Sequence, residues 1–398
     1  LVSAALVLFM TPGLALFYGG MVRAKNVLGM IMQNFFSMGL ISVIWAAIGY
    51  SLSFGGRGAL IGNLDFAWLH RAHLEAPAGL ALTIPPALFM VYQMMFAIIT
   101  PALITGAIAD RMRFSAWAWF LGIWAILVYS PVAHWVFAPS GWLFKLGALD
   151  FAGGTVVHVN AGIAALALAV VLGRRRGWPN HPMRAHSLPL TLLGTGILWF
   201  GWFGFNAGSA LAASSLASVA FVTTHLGAAA GAVAWLAAEQ WHTGRPSALG
   251  AISGAVAGLA TVTQGAGFVA PFSGAIFGLA GGFICFYMVV ILKQRMGYDD
   301  TLDAFGVHGV GGLIGATLTG ILATNAFNET VNLSAGRTAQ IGSQLAGAAI
   351  GVGVAVAGSW IALKATAVIT GGVRMDTREE TEGMDLVIHG EEGYNLDA

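Results

Sequence analysis

Apolar residues along this chain fall in long blocks separated by short polar loops. About 20 successive apolar residues carry a helix across the hydrocarbon core of a bilayer. Eleven stretches qualify: 1–20, 28–54, 86–109, 114–136, 153–173, 188–208, 216–240, 247–263, 270–293, 305–324 and 341–371. The last is long enough to tilt or to project beyond the bilayer. The chain starts inside the first block at Leu1, which reads as a mature or trimmed first span and not as a signal peptide. The pattern predicts an all-α polytopic membrane protein with eleven transmembrane helices.

The basic residues between the blocks orient it, because Lys and Arg favour cytoplasmic loops. Arg23, Lys25, Arg111, Arg113, Arg174, Arg175, Arg176, Arg184, Arg245, Lys293, Arg295, Arg374 and Arg378 fall on one side, against Arg57, Arg71, Lys145 and Arg337 on the other. An odd number of spans then places the N-terminus outside and the C-terminus in the cytoplasm. Two parts are expected: a transmembrane domain over 1–371 and an acidic cytoplasmic tail over 372–398, too short to be a domain.

Composition agrees. Charged residues are 9% of the chain and hydrophobic ones 57%, where a soluble domain carries about 25% charged. Most of the outer surface therefore meets lipid. A net charge of +1 points to no nucleic acid. Cys285 is the single cysteine, which excludes an intrachain disulfide or a cysteine metal cluster. Glycines recur at helical spacing, as in Gly250/Gly254/Gly258, Gly274/Gly278/Gly282, Gly311/Gly315 and Gly347/Gly351, and such rows let helix backbones approach closely.

Span five opens Asp150-Phe-Ala-Gly-Gly-Thr-Val-Val-His158 and span ten Asp303-Ala-Phe-Gly-Val-His308. By the charge bias they enter from opposite sides. An inverted five-plus-five repeat followed by a long last helix gives this arrangement, and such proteins place their site between the repeats. His158 and His308 are accordingly the leading functional candidates, since an ionisable residue in a span is costly to bury without a role. Hydropathy puts each near the start of its span, so they meet only if both helices begin deep. His225 and His134 have no such counterpart and read as packing residues. Asp150 and Asp303 are expected to cap helix starts, Asp150 also favouring a cation nearby.

Span six ends in an aromatic run with a hydroxyl, Trp199 to Ser209. Ring faces attract a desolvated cation by ~2 kcal/mol or more, and Ser209 can accept a hydrogen bond from it. Tyr92 and Phe96, on one helix face, can wall a narrow gate. No P-loop, His-Glu-x-x-His or nucleophile-elbow motif occurs, so neither an enzyme nor a cofactor is expected. With almost no charge in the spans, the substrate must be small and weakly polar or only transiently charged.

These motifs resemble the Amt/Mep ammonium transporter family along essentially the whole chain. The blocks that carry the likeness are Pro12–Gly20, Gly147–His158, Gly201–Ser209 and Asp303–Gly309, together with the tail from Glu382 to Tyr394. The resemblance implies eleven helices around a pore and a homotrimer in the cell membrane, each subunit passing ammonium or ammonia. It implies recruitment of ammonium by Trp202, Ser209, Phe137 and Asp150, a gate of Phe96 and Phe205 flanked by Tyr92, and a pore lined by His158, His308 and Thr263. It also implies a PII-type regulatory partner at the cytoplasmic face, with the acidic tail docked on loops bearing Arg111, Arg113, Arg174, Arg175, Arg176 and Arg184. Phe137 stands where the family usually has tryptophan; Trp135 and Trp142 flank it. Bare ammonium in a hydrophobic channel meets a Born penalty of order tens of kcal/mol, so the expected course is deprotonation at the gate, ammonia past the histidines, and a possible proton relay between them. The alternatives are a Rhesus-type gas channel, against which the Trp202/Phe205/Ser209 cluster speaks, and an ammonium sensor, for whose output module the short tail leaves no room.

Overall fold

A computed structural model describes residues 1–181 and 183–394. Among the described residues it is helical, with a single isolated bridge between Met112 and Arg374 and no strand. The helices in chain order are α1 Val2–Met21, α2 Ala24–Phe54, α3 Pro86–Ile108, α4 Phe114–Lys145, α5 Gly154–Leu172, α6 Leu188–Ala210, α7 Ser215–Thr243, α8 Ala248–Val262, α9 Ser273–Met296, α10 Phe305–Leu322 and α11 Arg337–Thr370. Ten of them are long and apolar enough to cross a membrane. The exception is α8, where the expected span 247–263 holds only 15 helical residues, roughly 22 Å of rise against a core of about 30 Å. Every residue from Gly254 to Val262 is buried. A helix enclosed by its neighbours need not match the bilayer thickness, and the chain continues past it in turns to Ser273.

Glycine decides how closely the helices meet. On α9, a Cβ at Gly274, Gly278 or Gly282 would overlap the α7 backbone at Thr223, Gly227 and Gly231 respectively, and Gly258 of α8 meets Gly227 in the same way. The α1–α6 contact is built likewise: a Cβ on Gly13 would lie 2.7 Å from Ile197, and one on Gly204 2.6 Å from the Leu6 Cβ. Backbone approach of this kind is what helix association in lipid relies on, since apolar side chains gain little there.

The inverted relation of α5 and α10 is visible in their starts. Each opens with a π-helical turn, Gly154–Val159 and Phe305–Gly309, a bulge that turns side chains out of the regular register. The Asp150 carboxylate accepts the backbone N–H groups of Gly153, Gly154, Thr155 and Val156 at 2.7–3.1 Å. The corresponding cap on α10 is Asp300, which accepts from Ala304 at 3.1 Å and Phe305 at 2.8 Å. This corrects the expectation for Asp303: with φ at +63° its backbone is left-handed, and its carboxylate turns aside to pair with Lys293.

The tail-side ends of the helices are tied by buried charge. Asp299 accepts from Arg111 at 2.9 Å and Arg175 at 2.8 Å, with both arginines buried. Burial pushes the Asp299 carboxyl up, but Arg175 and Arg111 outweigh it and hold the group below the usual carboxylate range. Asp110 is bound by Arg23 at 2.9 Å and by Asn26. The tail lies across this face. Its short helix α12, Thr377–Glu382, has a reciprocal cap between Asp376 and Glu379. Glu380 accepts from the Arg176 N–H and from Arg374, both at 2.8 Å, and Asp385 caps the first turn of α2 through the N–H groups of Leu28 (3.0 Å) and Gly29 (2.8 Å). Arg113 faces Glu379 at 3.5 Å. Thus Arg113 and Arg176 meet the tail as expected, whereas Arg111 and Arg175 are spent on Asp299. Residues 395–398 of the expected tail lie outside the described residues.

Asp299→Asn strands two buried guanidinium groups, a loss of about 3–5 kcal/mol. Thermal unfolding in detergent should show a markedly lower midpoint than wild type; an unchanged midpoint contradicts the account. The sign with pH follows from the depressed carboxyl: the contribution is complete above the ordinary aspartate value of about 3.9 and is lost as pH falls through the lower folded-state value.

Candidate functional site

The starts of α5 and α10 run into the bundle from opposite faces and cross. A Cβ on Gly162 would overlap the backbone nitrogen of Gly309, so the two helices touch at bare backbone. His158 lies one turn before Gly162, and His308 immediately before Gly309. Their rings stand 12° from parallel with centroids 5.2 Å apart, and the two Nδ1 atoms are 3.2 Å apart. Only one hydrogen fits between them. With both rings neutral, the ring that donates through Nδ1 keeps a bare Nε2, while the accepting ring carries its hydrogen on Nε2. The pair then offers one acceptor and one donor; the His158 Nε2 has no protein partner.

Trp202 of α6 stacks on His158, 16° from parallel at 5.3 Å. Its indole N–H donates to the Thr263 hydroxyl at 2.9 Å, which donates to the Leu259 carbonyl at 2.7 Å. Thr263 is fully buried and acts on Trp202; it is not among the residues lining the conduit, contrary to expectation. One turn along α6, Phe205 meets Phe96 of α3 with centroids 4.3 Å apart. Both rings are 1% exposed and close the path. The Tyr92 hydroxyl contacts the carbonyls of Gly204 (2.9 Å) and Phe205 (2.8 Å) and the Ser209 hydroxyl (3.2 Å), fixing the end of α6 to α3.

On the face away from the tail, a vestibule of about 110 Å³ is lined by Gln93, Phe96, Phe137, Phe151 and Ser209, among others. Phe137 and Ser209 therefore share a compartment, as expected. Trp202 does not: it lies beyond Phe205, in the chamber with His158 and His308. Its indole is held there by the Thr263 bond and the stack on His158. Asp150 also departs from a direct recruiting role. Its two oxygens accept four N–H groups, about the full capacity of a carboxylate. Trp142 packs on Trp135 at 5.6 Å and is absent from the vestibule lining.

The chamber around the histidines is enclosed by Met10, Leu14, Phe17, Ile99, Leu103 and Val256 besides the aromatic residues, and has a volume of about 10 Å³. That is the room needed for a single water-sized molecule. Gln93, Phe151 and Asp300 were not singled out from sequence. Asp300 had a signal: it precedes His308 by the same eight residues that separate Asp150 from His158.

A helical bundle with a vestibule, a closed phenyl gate and a one-molecule chamber holding paired imidazoles is the architecture of a membrane channel or transporter for a very small solute. The sequence profile of the Ammonium Transporter Family matches residues 1–394. The chain is 46% identical over 394 residues to an ammonium transporter of Bacillus subtilis, covering 98% of this chain and 96% of that protein. It is 42% identical to ammonium transporter Amt1 of Archaeoglobus fulgidus, covering 99% and 97%. Its fold is similar to the crystal structure of Saccharomyces cerevisiae Mep2, with TM-score 0.86, 36% identity and coverage of 94% and 88%. A sensor Amt protein superposes with TM-score 0.89 at 28% identity, covering 97% and 96%. The chain belongs to the ammonium transporter family.

Thr263→Val removes the acceptor of a buried indole N–H. The expected loss is about 1–3 kcal/mol, read as a lower unfolding midpoint in detergent; a midpoint equal to wild type shows that the bond does not hold Trp202.

Proposed function

We propose that this chain carries ammonium nitrogen across a cell membrane, taking ammonium in at the vestibule and passing ammonia along the conduit. The observation that carries the reading is the histidine pair in a closed, apolar chamber with room for one small molecule. Ammonium entering the vestibule meets the ring faces of Phe137, Phe96 and Phe151 and the oxygens of Ser209 and Gln93. Such a site contributes a few kcal/mol, far below the Born penalty of order tens of kcal/mol for a bare ion in an apolar channel. The proton must therefore leave at the Phe96/Phe205 gate. Ammonia has both a lone pair and N–H groups, so the donor and acceptor that the imidazole pair presents satisfy it at the narrowest point. The Nδ1–Nδ1 hydrogen bond also gives a proton a route from one ring to the other. Trp202 holds the His158 ring in the plane that this exchange needs.

The tail-side face is cytoplasmic in this reading, on the strength of the basic-residue bias. Likeness to the family supports three copies per assembly with one conduit each, and a PII-type regulator on the tail side. The docked tail, held by exposed or half-buried pairs worth about 0–1 kcal/mol each, is displaceable by such a partner. The structural likeness to a sensor Amt protein makes flux, and not fold, the deciding observation.

Proteoliposomes given an ammonium gradient should show flux above empty liposomes, and a flux equal to theirs overturns the reading. His158→Ala and His308→Ala should each lower flux about tenfold or more, the loss of ~1.4 kcal/mol at the barrier, or change its proton coupling. Unchanged transport in both returns the pair to a packing role.

A further inference from the structure

One ion pair on the conduit has no part in the passage described above. On the tail side of the histidines lies a second small space, about 10 Å³, lined by Tyr18, Trp235, Ser253, Asp303 and His308 among others. It shares Phe17, Val256 and His308 with the chamber above, so the path runs from the histidines directly to Asp303. There the Lys293 ammonium bonds the Asp303 carboxylate and the Asp300 carbonyl, the latter at 3.1 Å. Both side chains are largely buried, at 13% and 21% exposed.

We propose that Asp303 and the Asp300 carbonyl form a second ammonium-binding site at the tail-side mouth, and that Lys293 is its tethered competitor. A lysine head is an alkylated ammonium: a cation with three N–H donors and no acceptor. The shell that satisfies it, one carboxylate and one carbonyl, is the shell a free ammonium ion requires, and the Trp235 ring lining the same space adds an attractive face. The structure thus holds an ammonium group, on a four-carbon stem, at the point where the conduit opens. Ammonium accumulating on the tail side displaces Lys293 by mass action. Occupancy is felt by the histidines, because the Asp303 carbonyl accepts the Val307 N–H at 2.9 Å and so opens the turn that carries His308. The left-handed backbone of Asp303 fixes that geometry, a conformation aspartate tolerates better than most residues. The site rests on ammonium being the substrate, and it deepens that reading into control by accumulated product.

The test is thermal unfolding of the purified full chain in ammonium chloride against sodium chloride at equal ionic strength. Lys293→Met should be stabilised at ammonium concentrations about tenfold lower than wild type, and Lys293→Met/Asp303→Asn should lose that gain. Lys293→Gln takes its place if the methionine variant fails to fold. Identical ammonium dependence in the single and double variants overturns the site, and equal stabilisation by potassium chloride overturns ammonium as its occupant. Proteoliposome flux separates this from the transport reading. Absent wild-type flux defeats transport while the binding comparison still stands or falls alone. Flux with no difference in binding among the variants defeats this site only.

Discussion

The contact between Gly162 and Gly309 is the constraint on which the rest of the site depends. Two helices that enter from opposite faces can bring their side chains together mid-bundle only if their backbones touch. Neither position has room for a Cβ. From that contact the rest follows in order. The π-helical turns Gly154–Val159 and Phe305–Gly309 aim His158 and His308 at each other, and the Asp150 and Asp300 caps terminate both helices without leaving free N–H groups inside the bundle. The glycine-lined contacts of α7 with α8 and α9, and of α1 with α6, hold the surrounding wall tight enough to keep the chamber near the volume of one water.

Size and polarity then divide the path into parts with different tasks. The vestibule is polar and wide; the gate is two buried phenyl rings; the chamber is apolar except for two imidazoles. On the proposed reading each boundary discriminates on a different property. Ring faces and hydroxyls favour a cation, the dry gate rejects one, and the imidazole pair accepts a neutral molecule able both to donate and to accept. Trp202 works from inside the gate, through its stack on His158 and its bond to Thr263.

Much of this was legible in the sequence, and the misses have physical causes. Long apolar blocks gave the helices, because lipid leaves helices few alternatives. The Asp-to-His repeat pointed to the histidine pair. Periodicity could not reveal depth, so the meeting of two residues near opposite helix starts needed coordinates. Asp303 was taken as the cap because it stands closest to the helix, yet a left-handed residue turns its carboxylate away and leaves capping to Asp300. Trp202 and Thr263 were assigned to pore surfaces by likeness, and only the fold shows that Thr263 spends its hydroxyl on Trp202. The 15-residue α8 reads as a span because composition does not report which apolar helix is enclosed by others.

The claim at the centre is that His158 and His308 share one hydrogen between their Nδ1 atoms and turn a donor and an acceptor toward the path. Solid-state ¹⁵N NMR of histidine-labelled protein in bilayers, with His158→Ala and His308→Ala for assignment, observes this directly. The account predicts one ring protonated at Nδ1, the other at Nε2, and a through-hydrogen-bond correlation between the two Nδ1 nitrogens. Two rings protonated alike at Nε2, with no correlation between them, would contradict it.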